Sequence, residues 1–71
     1  MDSKLSLFKE VALLTDVPAH RLSRGQVGTV VELLDETTSL VEFSDEQGRA
    51  YALGPCPRVD LLTLHYVPEE T

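Results

Sequence analysis

Arg24-Gly25-Gln26-Val27-Gly28-Thr29-Val30-Val31-Glu32-Leu33 is the stretch that decides how this chain folds. Two glycines three apart lead into a β-branched run. Valine and threonine favour a pleated, half-buried strand, and glycine supplies the backbone freedom of a tight turn. The pattern reads as a turn entering the first long strand of a small, strongly bent β-barrel, with Gly25 and Gly28 as shaping residues. Val27, Thr29, Val31 and Leu33 alternate with Gly28, Val30, Glu32 and Leu34. Both faces are largely apolar, as in a long bent strand that serves two packed layers in turn. Gly28 is the expected bend or bulge, with Val30, Val31 and Leu33 filling the interior.

Working outward, further strands flank this one. Glu10-Val11-Ala12-Leu13-Leu14 is short and apolar, and Val17-Pro18 follows soon after. Proline disfavours a helical residue before it, so a strand is expected. Asp16 to Gly25 reads as a loop carrying His20, Arg21 and Arg24, either functional or merely closing one end. Asp35-Glu36-Thr37-Thr38 is a turn and Ser39–Phe43 a strand. Ser44-Asp45-Glu46-Gln47-Gly48 is a hairpin turn, with Gly48 at the position where a left-handed residue is needed. Arg49–Leu53 is expected to return, Tyr51 and Leu53 sharing the core with Val41 and Phe43. Gly54-Pro55-Cys56-Pro57 is expected to break the sheet. Arg58-Val59-Asp60 is expected as one short helical turn before the last strand, Leu61–Val67. Five short strands with turn signals between them give an all-β barrel or sandwich. The domain is expected over residues 8–67, with a frayed, disordered segment at 1–7 and an acidic tail at 68–71.

Bulk properties bound the rest. At 71 residues the chain makes one domain. A domain this small buries only about 60% of the surface its unfolded chain exposes, so its stability is marginal. Cys56 is the only cysteine, which excludes an intrachain disulfide and fits a reducing compartment. No run of about 18 apolar residues occurs, so no membrane association is expected. The N-terminus lacks the basic start and long apolar run of a secretory signal, so a cytoplasmic location is expected.

Arg24-Gly25-x-x-Gly28-Thr29-Val30-Val31-Glu32, followed by Val41-Glu42-Phe43-x-Asp45-x-x-Gly48-Arg49-x-Tyr51-Ala52-Leu53, resembles a family of small bacterial proteins of unknown function, about 60–70 residues long. The resemblance spans about residues 8–64. These proteins are similar to SH3-like barrels, so the resemblance implies a small five-stranded SH3-like barrel. The Gly-x-x-Gly-x-Val core also resembles the KOW motif of ribosomal and transcription proteins. It is similar as well to docking barrels of photosystem, nitrile hydratase and ferredoxin–thioredoxin reductase subunits. The family carries no catalytic residues to transfer. Kinship implies, without any residue showing it, action beside toxin-like proteins of bacterial gene pairs.

The chemistry of the side chains gives no enzyme and no cofactor. Cys56 lies between two prolines, with Arg58 and His65 the nearest bases in sequence; its ordinary reading is a small apolar residue. His20 and His65 lie far apart and make no metal-ligand spacing with one cysteine. Asp35-Glu36 and Asp45-Glu46 sit in turns, where carboxylates are normally solvated, whereas acid–base catalysis needs a cleft.

Charge is more informative. The formal net charge is −6, and between Arg24 and Arg49 there are six acids and no base: Glu32, Asp35, Glu36, Glu42, Asp45 and Glu46. Such a flank is either a solvated face or a docking surface for a basic protein. The field opposes nucleic acid, although Arg21, Arg24, Arg49 and Arg58 leave a KOW-like contact as the weaker alternative. The function expected is therefore a non-enzymatic interaction module that docks a basic partner. An antitoxin or immunity-type neutraliser of a neighbouring toxin is the alternative. Homodimerisation through an edge strand at Leu61–Val67 is a further expectation.

Overall fold

The computed structural model describes residues 7–66 and residue 68. The expected frayed segment 1–7, apart from Leu7, and the acidic tail beyond Pro68 lie outside the described residues. Five antiparallel strands are present: β1 (Glu10–Leu13), β2 (Val27–Leu33), β3 (Thr38–Ser44), β4 (Ala50–Pro57) and β5 (Leu61–Thr63). Short 3-10 turns cover Pro18–His20 and Arg58–Asp60. The strand order is β4-β3-β2-β1-β5. β4 and β5 are thus the edges, and no pairing between them closes the sheet among the described residues.

One face of the sheet is dry. Val11, Leu13, Val30, Val41, Phe43, Cys56 and Leu61 are buried there, joined by Leu22 from the Asp16–Gly25 loop. That loop is tied by the Val17–Leu22 bridge and by the Arg24 backbone N–H, which donates to the Asp16 carboxylate at 2.8 Å. It delivers Leu22 as a plug, so local hydrogen bonds become core packing. Each fully buried Val, Leu or Phe contributes on the order of 2 kcal/mol.

Gly28 is not the bend that the sequence suggests. It lies in regular register, opposite Val11 on β1 and Phe43 on β3. Its role is close approach. A Cβ at this position would lie 2.6 Å from Val41 Cγ1, 2.9 Å from the Glu42 carbonyl oxygen and 2.9 Å from Phe43 Cδ2. The irregularity comes later, between Val30 and Glu32, where Val30 pairs with Val41 but Glu32 pairs with Leu40. Val31 is the additional residue of a β-bulge. Side chains alternate along a strand, so one inserted residue exchanges the faces of all that follow. Val31 is only half-buried, and Leu33, although the bulge pairs it with the buried Ser39, is exposed rather than interior.

A second register shift, between Phe43 and Ser44, corrects the expected core of β4. Ser44 pairs with Ala50 and Phe43 with Ala52, which leaves Tyr51 as the additional residue. Ala52, Gly54 and Cys56 face inward, and Tyr51 and Leu53 are exposed. Tyr51 still reaches the Phe43 ring, with 6.5 Å between centroids, and its hydroxyl accepts from Gln26 Nε2 at 2.9 Å.

The sheet does not break at Gly54-Pro55-Cys56-Pro57 either. These residues continue β4, paired to Thr38–Val41. β4 is an edge strand, and prolines two apart present both of their missing N–H groups to the same, unpaired side. The intervening Cys56 faces the core. The expected helical turn at Arg58–Asp60 is a single 3-10 turn. The last strand is shorter than Leu61–Val67, ending at Thr63, and Val67 lies outside the described residues.

Candidate acidic docking face

The two bulges determine which side chains share the outer face of the sheet. Gly28 and Val30 face inward, so an unbroken β2 would turn Glu32 inward as well. The bulge at Val31 instead places it opposite Leu40, on the solvent side. Glu42 pairs with Thr29 on one side and Leu53 on the other, also on the outer face. Glu32 and Glu42 are therefore diagonal neighbours, about 7–8 Å apart across the β2–β3 pair.

Glu10 belongs to the same face. It pairs with Thr29, so Glu10, Thr29, Glu42 and Leu53 form one row across four strands. Two interstrand spacings put Glu10 about 10 Å from Glu42. Glu10 lies outside the base-free run of six acids, so it could be found only from the antiparallel register of β1 on β2. Its carboxylate accepts a hydrogen bond from the Tyr66 hydroxyl. That bond, together with burial and the Glu10 charge, holds the Tyr66 phenol above its ordinary range.

The remaining acids divide. Asp45 and Glu46 of the β3–β4 hairpin line an open groove of about 400 Å³ together with Glu10, Val27 and Thr29 from β1 and β2. Asp35 and Glu36 lie in the opposite turn, about 20 Å away along the seven residues of β3. The six acids thus form two groups, not one continuous flank.

Both aspartates are occupied locally. Asp35 Oδ1 accepts from the Thr37 backbone N–H at 2.8 Å and from the Thr37 hydroxyl at 3.1 Å. The Thr37 N–H is the main cause holding the Asp35 carboxyl below its ordinary range. Asp45 Oδ1 accepts from the N–H groups of Arg49 and Gln47, each at 2.9 Å. Its Oδ2 meets Arg49 Nε at 3.2 Å. The Arg49 N–H leads in lowering the Asp45 carboxyl. Gly48 completes this hairpin with a φ of +83°. Gly25, at +93°, does the same for the turn into β2.

Glu32, Glu42 and Glu46 have no cation within ion-pair distance among the described residues. The outer face around them is also apolar in part, with Val27, Leu53 and Leu62 exposed.

No group of three His, Cys, Asp or Glu side chains is placed to hold a metal ion among the described residues. Cys56 is buried, and its Sγ lies 3.8 Å from the Gly54 carbonyl oxygen. Burial first, and the Asp60 charge second, push its thiol above the ordinary range. A thiol in such surroundings is a poor nucleophile. Arg58 donates to the Glu36 carbonyl, and its own N–H to that of Thr37 at 2.8 Å, so it fastens the β2–β3 turn to the 3-10 turn before β5.

The architecture defines an all-β protein built on a five-stranded antiparallel sheet with 3-10 turns, carrying carboxylates on its exposed face. A family model described as "Domain of unknown function (DUF4926)" matches residues 7–62, and the chain belongs to that family. Neither the curated proteins nor the solved structures yield a match.

Proposed function

We propose that this chain is a non-enzymatic protein-interaction module that docks a basic partner through the outer face of its sheet. The observation that carries the reading is the Val31 bulge. It turns Glu32 outward beside Glu42, with no cation near either among the described residues. Unscreened carboxylates on a protein of net charge −6 favour basic partners through encounter rate and orientation. We read the scaffold as an open SH3-like barrel. The strand order β4-β3-β2-β1-β5 and the 3-10 turn immediately before β5 support that reading. So does the Pro18–His20 turn, which brings His20 Nε2 to 3.9 Å from the position a Cβ on Gly54 would take.

Affinity capture from native lysate tests the docking reading, using wild type beside the charge-reversed Glu32→Lys, Glu42→Lys, Glu46→Lys variant. The expected result is a protein with a basic surface that wild type retains and the variant loses. Equal retention by both would count against it, and so would recovery of no protein by wild type.

A further inference from the structure

The groove on the outer face has a composition that the acidic reading alone does not require. β1 and β2 line it through Glu10, Val27, Gly28 and Thr29. The hairpin between β3 and β4 adds Ser44, Asp45, Glu46 and Gly48. At about 400 Å³ it is at the small end of ligand-pocket sizes. Apolar surface continues from it, because Val27 pairs with Ala12 and Ala12 with Leu62 in one row of the outer face. Carboxylates beside the apolar surface of Val27 match the two parts of a long basic side chain. Its aliphatic stem lies on apolar surface while its charged head stays among acids and water.

Resting on the docking reading above, we propose that this groove receives one lysine or arginine side chain from an extended segment of the partner protein, whose next outward apolar residue lies on Val27 and Leu62. Charge complementarity selects this occupant. Glu46 and Glu10 both bring negative charge to the lining, Glu10 while accepting from the Tyr66 hydroxyl, whereas the third carboxylate there, Asp45, is already paired with Arg49. A second copy of this chain is opposed by the same charges, since each copy would bring its own carboxylates to the contact. An extended segment suits the face because alternate side chains of a strand point the same way. A basic and an apolar residue two apart then reach the acidic and apolar rows together.

The test uses defined peptides on the intact chain and reads backbone amide shifts by NMR. The probes are blocked Lys-Val-Lys-Val-Lys and blocked pentalysine. The expected result is saturable shifts confined to Gly28, Thr29, Ser44, Glu46 and Gly48 with the alternating peptide, and weaker binding of pentalysine. Glu10→Gln and Glu46→Gln each weaken the alternating peptide about threefold, in the range of exposed ion pairs. Both positions are exposed, so an otherwise unchanged amide spectrum confirms the fold of each variant. Pentalysine binding equally well, with shifts spread to the Asp35–Glu36 turn, overturns the groove proposal while leaving a general acidic face intact. Absence of binding by the alternating peptide overturns the proposal too, and partner capture then decides the docking reading by itself.

Discussion

Replacing Gly28 by alanine is the sharpest perturbation the packing offers. The added Cβ meets Val41 Cγ1 at 2.6 Å, the Glu42 carbonyl oxygen at 2.9 Å and Phe43 Cδ2 at 2.9 Å. Side-chain contacts can be relieved by small rotations, but the carbonyl is fixed in the ladder between β2 and β3. Overpacking of this kind costs about 1–3 kcal/mol, and the fixed carbonyl argues for the upper end. Against it, alanine restricts the unfolded chain more than glycine and returns about 0.4–1 kcal/mol. The net cost is about 2 kcal/mol. A chain of this length holds only about 4–10 kcal/mol in total. In a domain this small each kcal/mol moves the thermal midpoint by about 4–8 °C, so Gly28→Ala lowers it by about 8–16 °C. Thermal unfolding followed by circular dichroism measures this directly. Phe43→Leu gives the internal control. It removes the ring that the new methyl meets, so the double variant should lose less stability than the two single losses added together. A midpoint change under about 2 °C for Gly28→Ala, or strict additivity with Phe43→Leu, would refute the close-approach argument.

Other consequences follow from the turns and the thiol. Asp35 and Asp45 have folded pKa values below their unfolded ones, so the stability they contribute is present above the unfolded value of 3.8 and is lost as pH falls through the folded values. The Asp35→Asn, Asp45→Asn variant should therefore show a shallower fall of thermal midpoint with acidification below about pH 4 than wild type does; parallel curves would contradict the assignment. Cys56 is 4% exposed, with its thiol pushed up by burial. Alkylation by iodoacetamide at pH 8 should be far slower than that of a free cysteine and should accelerate in urea; fast modification of the native chain would place the thiol at the surface.

The sequence made the class of fold legible because its strands are short, β-branched and separated by turn residues. What it hid was register. Tyr51 and Leu53 carry the largest apolar side chains of their strand, and alternation assigns them to the core. The register shift between Phe43 and Ser44 sends Ala52 and Gly54 inward instead. Periodicity cannot reveal an inserted residue when both phases of a strand are apolar. The run Gly54-Pro55-Cys56-Pro57 misleads for a related reason. Proline excludes a central strand, but not an edge with its missing donors turned to solvent, and edge position is a property of the whole sheet. Gly28 was visible as special, although what makes it so is the close approach of Val41, Glu42 and Phe43 on the neighbouring strand, thirteen to fifteen residues later in the chain.

The candidate face was partly legible on the same terms. The absence of bases between Arg24 and Arg49 isolates six acids, and Glu32 and Glu42 do meet on adjacent strands. The turn aspartates belong to a separate economy of local hydrogen bonds, which their neighbours Thr37 and Gln47 hint at only once the turns are formed. Glu10 enters through long-range pairing alone.

The most direct test of the account is the association rate of the captured basic partner, measured by stopped flow across a range of ionic strength. If the outer carboxylates steer encounter, the rate constant for wild type falls steeply with added salt. The Glu32→Lys, Glu42→Lys, Glu46→Lys variant associates much more slowly at low salt, and the two converge at high salt, where the charges are screened. An association rate that ignores both salt and charge reversal would contradict a docking role for this face.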